Sequence, residues 1–301
     1  MDNKPEIIRS NDKSLGLEGP SFLHLFRLFF ILPITLWVFL KKKISGEKIN
    51  INAFLFDGAS DVCRAVKENA AKWSALNIMY NYVPGRDKNL AGKVTDFYNQ
   101  LNNVKAIRNR LRLVKQNLRE YIQEFSQKGE KIRIVSIACG SAQGITEVLK
   151  EFRQKGIFPG VYLLDSDPTA IEYAQGLAIK TGVSDQVKFF TKSTTFLNEI
   201  VGGWKPQIIE VTGLFEYLPY EKAISLVKRI NDLLATNGVL ITSNISANIE
   251  MFFTHFVSNW PLIYRKPKDL FDIVSKAGFS LGKCKIIQEP LRIHNILICR
   301  K

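Results

Sequence analysis

From residue 132 onward the chain alternates short β-branched runs with amphipathic stretches, a pattern that few folds accept. Residues 132–138 (IRIVSIA), 161–164, 187–190, 208–211 and 238–243 are short and largely apolar. Runs of this kind are required of strands buried on both faces of a parallel sheet. Helical stretches separate most of them, over about 145–155, 168–180 and 220–236, with another at 268–277 closed by Gly278. Residues 284–288 and 293–299 read as a final antiparallel pair. The pattern predicts an α/β fold: a doubly wound, mostly parallel seven-stranded sheet with an antiparallel C-terminal strand, preceded by a helical extension.

The extension itself has three parts. Residues 1–20 are polar and mixed in charge, a tail without the apolar stretch of a secretory signal. Residues 21–40 (SFLHLFRLFFILPITLWVFL) are strongly apolar, broken by His24, Arg27 and Pro33 and closed by Lys41, Lys42 and Lys43. The clean run from 28 to 40 falls short of the roughly 20 residues that cross a bilayer. Three placements stay open: a helix covered by protein, a helix lying in a membrane interface, and a span with its lysines on the cytoplasmic side. Beyond Lys43, apolar residues recur at helical spacing over 57–82 and 91–125, with Pro84-Gly85 between. On the second stretch Ile107, Leu111, Val114, Leu118 and Ile122 share one face. The organisation expected is a tail and membrane-proximal helix (1–45), a helical cap (46–130) and a sheet domain (131–301).

Formal net charge is +14, which favours anionic partners: a membrane surface, nucleic acid or acidic metabolites. Cys63, Cys139, Cys284 and Cys299 are scattered, as are His24, His255 and His294. That spacing offers no metal site and no disulfide framework, so a reducing cytoplasm is expected.

The segment Val135-Ser136-Ile137-Ala138-Cys139-Gly140-Ser141-Ala142-Gln143-Gly144 joins the first strand to its helix. Small residues there let the backbone approach a ligand, and the helix start presents free amides. An ordinary tight strand–helix turn would look similar. Asp165 strengthens the signal, because a carboxylate ending the second strand can accept hydrogen bonds from both hydroxyls of a ribose. Asp167 reads instead as the N-cap of the helix opened by Pro168.

These residues resemble motifs I and II of class I S-adenosylmethionine-dependent methyltransferases, over about two-thirds of the chain. The resemblance implies S-adenosylmethionine as cofactor, held by Ser136, Ala138, Cys139, Gly140, Ser141, Asp165, Ser166, Gly213 and Leu214. The family carries an acid where Ser136 stands and glycine where Ala138 and Ala142 stand. The contact to the methionine amino group therefore lacks its acid here, while the alanines are small enough to keep the loop. The string Gly213-Leu214-Phe215-Glu216-Tyr217-Leu218-Pro219 is similar to bacterial members with Gly-Leu-Phe-Asp/Glu-Tyr-Leu at this place, including enzymes that make hydroxy fatty acid methyl esters. Trp260-Pro261-Leu262-Ile263-Tyr264-Arg265 resembles the same subgroup. Base-methylation signatures, Asn-Pro-Pro-Tyr or Pro-Cys, do not occur at this place.

The activity implied is direct in-line methyl transfer to a small or lipid-like acceptor. A carboxylate suits it, being ionised near neutral pH without a general base. Tyr217, Tyr264, His255 and Arg265 are the candidates for the acceptor side, with Arg108 and Arg112 as further anion holders. Each could equally be a packed or solvated residue. An anionic membrane could be met through residues 21–43, at its inner face. The competing expectations are an RNA methyltransferase, suggested by charge, and a cofactor-binding protein without transferase activity, suggested by Ser136.

Overall fold

The computed structural model describes residues 5–45 and 56–301. In chain order the elements are β1 (Glu6–Arg9), α1 (Leu23–Ser45), α2 (Asp61–Glu68), α3 (Trp73–Tyr80), α4 (Leu90–Asn99), α5 (Asn102–Gln127), β2 (Arg133–Ile137), α6 (Gln143–Arg153) and β3 (Gly160–Asp165). They continue with α7 (Pro168–Thr181), β4 (Val187–Thr191), α8 (Leu197–Val201), β5 (Ile208–Val211), α9 (Tyr220–Leu233), β6 (Val239–Ile245), α10 (Pro267–Lys276), β7 (Cys284–Gln288) and β8 (His294–Arg300).

The chain divides into two compact units. The first holds residues 1–17, 110–246 and 263–301 and contains the sheet; the second holds residues 18–109 and 247–262 and is helical. Helix α5 begins in the helical unit and continues into the sheet unit from Arg110. The domain boundary expected between residues 45 and 46 abuts 46–55, which lie outside the described residues.

The sheet unit has eight strands in the order β1-β7-β8-β6-β5-β2-β3-β4, with β8 antiparallel to β6 and β7. Winding proceeds outward from β2 through β3 to β4, then restarts at β5 on the other side of β2. The strand order thus reverses between β2 and β5, where open α/β sheets form their ligand crevice at the carboxyl ends. Alternation along the strands splits the core in two. Val135, Ile137, Ile209, Val211 and Leu240 pack with α8, α9 and α10. Ile134, Ile208, Val239 and Ile241 pack with α6 and the later turns of α5. Salt bridges Lys115–Glu147 and Arg119–Glu151 (2.6 Å) tie α5 to α6 along the rim of that second layer.

The sequence pattern predicts seven strands, and β1 is an eighth. Glu6–Arg9 pairs in parallel with β7 at the sheet edge, within the stretch expected to be a tail. Its four residues are mostly exposed, so no buried periodicity marks it; pairing with an open edge supplies the order that local sequence does not. The two long helical stretches are each broken, 57–82 into α2 and α3, and 91–125 into α4 and α5. Glu250 accounts for the second break. Its carboxylate accepts from the amides of Asn102 (2.9 Å) and Asn103 (2.7 Å), capping α5 from far along the chain.

In the helical unit α1 runs through Pro33 as one 23-residue helix rather than stopping at it. A proline inside a helix costs about 3 kcal/mol, which packing of one stripe offsets: Arg27, Leu28, Ile31, Thr35 and Val38 are buried. Lys42 Nζ donates to Asn259 Oδ1 (2.8 Å) and to the Phe256 carbonyl (3.1 Å), and Phe39 meets Phe256 edge-on. The helix is thereby held to the π-helical turn Phe253–Val257 of its own unit.

Candidate functional site

The site lies in the sheet unit, at the carboxyl ends of β2, β3 and β5. The bend after β2 is shaped by three left-handed residues, Ala138 (φ 52°), Gly140 (φ 53°) and Ala142 (φ 51°). Small side chains were needed for this reason: each alternate residue turns the backbone where a larger Cβ branch is disfavoured. The bend delivers the chain to the start of α6, whose N-terminus has no side-chain cap among the described residues. A helix start of this kind presents backbone amides toward the crevice side of the bend.

Asp165 stands at the tip of β3 and reaches back to this bend. Gly140 N donates to its Oδ2 at 2.9 Å, and Asp167 N donates to its Oδ1 at 2.9 Å. The loop and the acid are therefore joined, and Asp165 keeps acceptor capacity for further donors. Asp167 caps α7 by accepting from Thr169 N (2.9 Å). Ser141 is buried, Ser166 is exposed at the loop surface, and the Cys139 thiol is pushed well above its ordinary range by burial. A thiol in that state is a poor nucleophile.

Beneath the bend is a residue that pattern reading missed. Glu210 sits on β5 directly beside Ser136 of β2, and Ser136 Oγ donates to Glu210 Oε2 at 2.5 Å. Both side chains are buried. Burial raises the Glu210 carboxyl above its usual range, opposed by Ser136, Thr212 and the charge of Arg110. The signal was present in the sequence: an acid inside the otherwise aliphatic run Ile208-Ile209-Glu210-Val211.

The loop after β5 holds Gly213, Leu214 and Tyr217. Gly213 has φ 85°, and a Cβ there would come within 3.5 Å of Arg110 Nη1 and 3.7 Å of Glu216 Oε2. Those are ordinary contact distances, so it is the left-handed backbone angle, not the buried pair behind it, that calls for glycine. Arg110 Nη1 donates to Glu216 Oε1 at 3.3 Å, and His294 Nδ1 lies 3.8 Å from the same oxygen. Burial holds Glu216 above its usual range despite Arg110, and burial with the nearby Arg110 charge holds His294 far below its own, hence neutral.

The two strings singled out in the sequence meet here. Arg265 donates to the Phe215 carbonyl (2.6 Å), to Asn244 Oδ1 (2.8 Å) and to the Leu218 carbonyl (2.5 Å), while Ile263 N donates to the Glu216 carbonyl (2.8 Å). The Arg265 guanidinium thus braces the 213–218 loop. Tyr264 has a buried hydroxyl without a partner among the described residues, and burial pushes its pKa up to about 12. His255 lies in the helical unit, exposed on the π-helical turn. Arg108, in the same unit, is engaged by Glu18 (2.6 and 2.7 Å) and the Asn99 carbonyl (2.7 Å). Arg112 is half-buried.

Further orphaned atoms cluster by register. Ser243 follows Ile241, the β6 neighbour of Glu210, by two residues and so shares its face; His294 stands opposite Ile245, two further on. Ser243 Oγ and both His294 nitrogens are buried without hydrogen-bond partners among the described residues. Buried polar atoms left unmatched are what a polar ligand would satisfy.

Fold and site together define an α/β protein with a ligand crevice at a sheet switch point. The family described as "Putative methyltransferase" matches residues 69–300, and the chain belongs to that family. No curated protein matches the sequence. Among solved structures, the chain is similar to a possible exported protein from Bordetella parapertussis (14% identity, 90% of this chain and 95% of the other, TM-score 0.63). It also aligns with magnesium protoporphyrin IX methyltransferase of Synechocystis PCC 6803 with bound SAH (18% identity, 67% and 88% covered, TM-score 0.48). An O-methyltransferase family protein from Burkholderia thailandensis aligns over 69% and 62% at 16% identity, with TM-score 0.48.

Proposed function

We propose that the protein is an S-adenosylmethionine-dependent methyltransferase whose acceptor is a small or lipid-like molecule, with a carboxylate the best fit, working at the inner face of an anionic membrane. One observation carries the cofactor reading: Gly140 of the β2–α6 bend and Asp165 at the tip of β3 are joined at 2.9 Å beside the switch point. The bend and the uncapped α6 amides suit the carboxylate-bearing end of the cofactor, and Asp165 suits its ribose. When bound, S-adenosylmethionine supplies an electrophilic methyl group on a cationic sulfur. The chain's own task is then to align the acceptor and exclude water.

A carboxylate acceptor accords with this site, because an ionised oxygen needs no proton removed. Arg110 could hold such an anion alongside Glu216, and Tyr217 and Tyr264 could border it. The Gly-Leu-Phe-Glu-Tyr-Leu string, pinned by Arg265 and Ile263, supports assignment to the bacterial subgroup bearing that motif.

The membrane reading rests on α1. Its exposed side presents Leu25, Phe26, Phe29, Leu36 and Trp37, with Phe22 (90% exposed) just ahead of it. Full burial of such a side chain is worth roughly 1.5–3 kcal/mol, and these residues leave a large part of that unrealised in water. Lys41 lies over the Trp37 ring at 5.0 Å, a pairing suited to a lipid headgroup layer. The opposite stripe, with Arg27 and Thr35, is turned into the protein. That division favours an interfacial seat over a span, which would carry the packed stripe, Arg27 included, into the bilayer.

Calorimetry with S-adenosylmethionine, followed by a radiolabelled-methyl screen of fatty acids, other small acids and RNA, tests the activity. Micromolar binding and labelled ester are expected; no cofactor binding sinks the reading, and label in RNA replaces the acceptor class. Flotation with anionic liposomes tests the location. Replacing Phe22, Phe29 and Trp37 together with glutamine should abolish flotation, and unchanged flotation removes α1 as the anchor.

A further inference from the structure

We propose that Glu210 supplies, from β5, the carboxylate that holds the α-ammonium of the cofactor's methionine portion, a role for which β2 offers only the hydroxyl of Ser136. The assignment rests on the cofactor reading above.

Three observations and one general rule carry it. β2 and β5 are the two strands that flank the switch point, and Ser136 and Glu210 are register partners on them. Their side chains share one face and touch, Ser136 Oγ to Glu210 Oε2 at 2.5 Å. Glu210 is 9% exposed, in a strand whose other residues are Ile208, Ile209 and Val211. A carboxylate buried among aliphatics is strongly disfavoured unless charge or hydrogen bonds compensate it.

The fold compensates it incompletely. Its direct partners, Ser136 from β2 and Thr212 just after β5, are neutral; Arg110 from α5 acts on it through charge but hydrogen-bonds Glu216; and the Cys139 thiol above it is held protonated. A ligand cation would complete the set. S-adenosylmethionine carries two cationic centres, the ammonium and the sulfonium. The bend at 138–142 lies directly beyond β2, so the ligand end seated on it is the one nearest Ser136 and Glu210. Moving the acid one strand sideways keeps it on the same face and at the same level of the sheet. Ser136 then acts as a positioning residue, orienting the carboxylate by its hydrogen bond.

The experiment measures the affinity of the full chain for S-adenosylmethionine, S-adenosylhomocysteine and 5′-methylthioadenosine, for wild type, Glu210→Gln, Ser136→Asp and the double variant. The three ligands separate the charges: the second lacks the sulfonium but keeps the ammonium, and the third lacks both. Glu210→Gln is expected to weaken the first two by tenfold or more and equally, and to leave 5′-methylthioadenosine unchanged. Adding Ser136→Asp to Glu210→Gln is expected to restore most of the loss, returning an acid to β2. Equal loss for all three ligands shows a structural role and overturns the proposal. Loss for S-adenosylmethionine alone assigns Glu210 to the sulfonium and also overturns it, as does an unchanged affinity for S-adenosylhomocysteine. If the wild type binds none of the three, the cofactor reading itself falls, a failure distinct from these.

Discussion

Two residues around the bend make separable contributions. Asp165 accepts from two backbone amides and so shapes the loop, and under the proposed function it also serves the ribose. Asp165→Ala should therefore lower S-adenosylmethionine affinity tenfold or more, since one charge-assisted hydrogen bond contributes roughly 1.5–3 kcal/mol; calorimetry reads it, and an unchanged Kd would take Asp165 out of the site. Ala138 is a left-handed residue outside the two main cores. Ala138→Gly should relieve about 1 kcal/mol of backbone strain, seen as a higher denaturation midpoint in urea, and a lower midpoint would show that the methyl group is needed. Residue types made this bend legible in the sequence. Glu210 was not, because an acid in an apolar run reads the same way whether it faces a ligand or a neighbouring hydroxyl.

At the scale of elements, the helical unit depends on one distant contact. Glu250 caps α5 through two amides and lies 3.5 Å from His24 Nδ1. Truncation would leave buried donors at the helix start unmatched. Glu250→Ala should cost about 2–3 kcal/mol of stability in urea unfolding, and a loss below about 0.5 kcal/mol would mean that water replaces the carboxylate. Periodicity located the apolar faces of these helices but not their breaks, because a cap supplied by a residue 147 or 148 positions away leaves no local mark. The same holds for Arg265, which a sequence presents as a free cation and the fold uses to hold three acceptors around the 213–218 loop.

For the whole molecule, cofactor binding and stability are linked. A ligand that binds the folded chain alone adds about 2.7 kcal/mol at a hundredfold excess over Kd. S-adenosylmethionine at that excess should raise Tm by several degrees in a thermal melt; no shift would show that it does not bind the folded chain. The net charge of +14 bears on the partner as well. Liposome binding that requires anionic lipid and weakens with salt is expected, since exposed charges are screened within about 10 Å at 0.1 M salt. By itself, the sequence determined the parallel sheet, the small-residue bend after β2 and the acid beside it. These follow from short-range rules: buried strands must be apolar, and tight left-handed turns must be small. Only the tertiary structure decided that β1 closes the sheet edge, that Glu250 ends one helix by starting another, and that Glu210 meets Ser136. Each of those joins residues far apart in the chain, and the free energy that selects such a pairing comes from burial that no local stretch of sequence encodes.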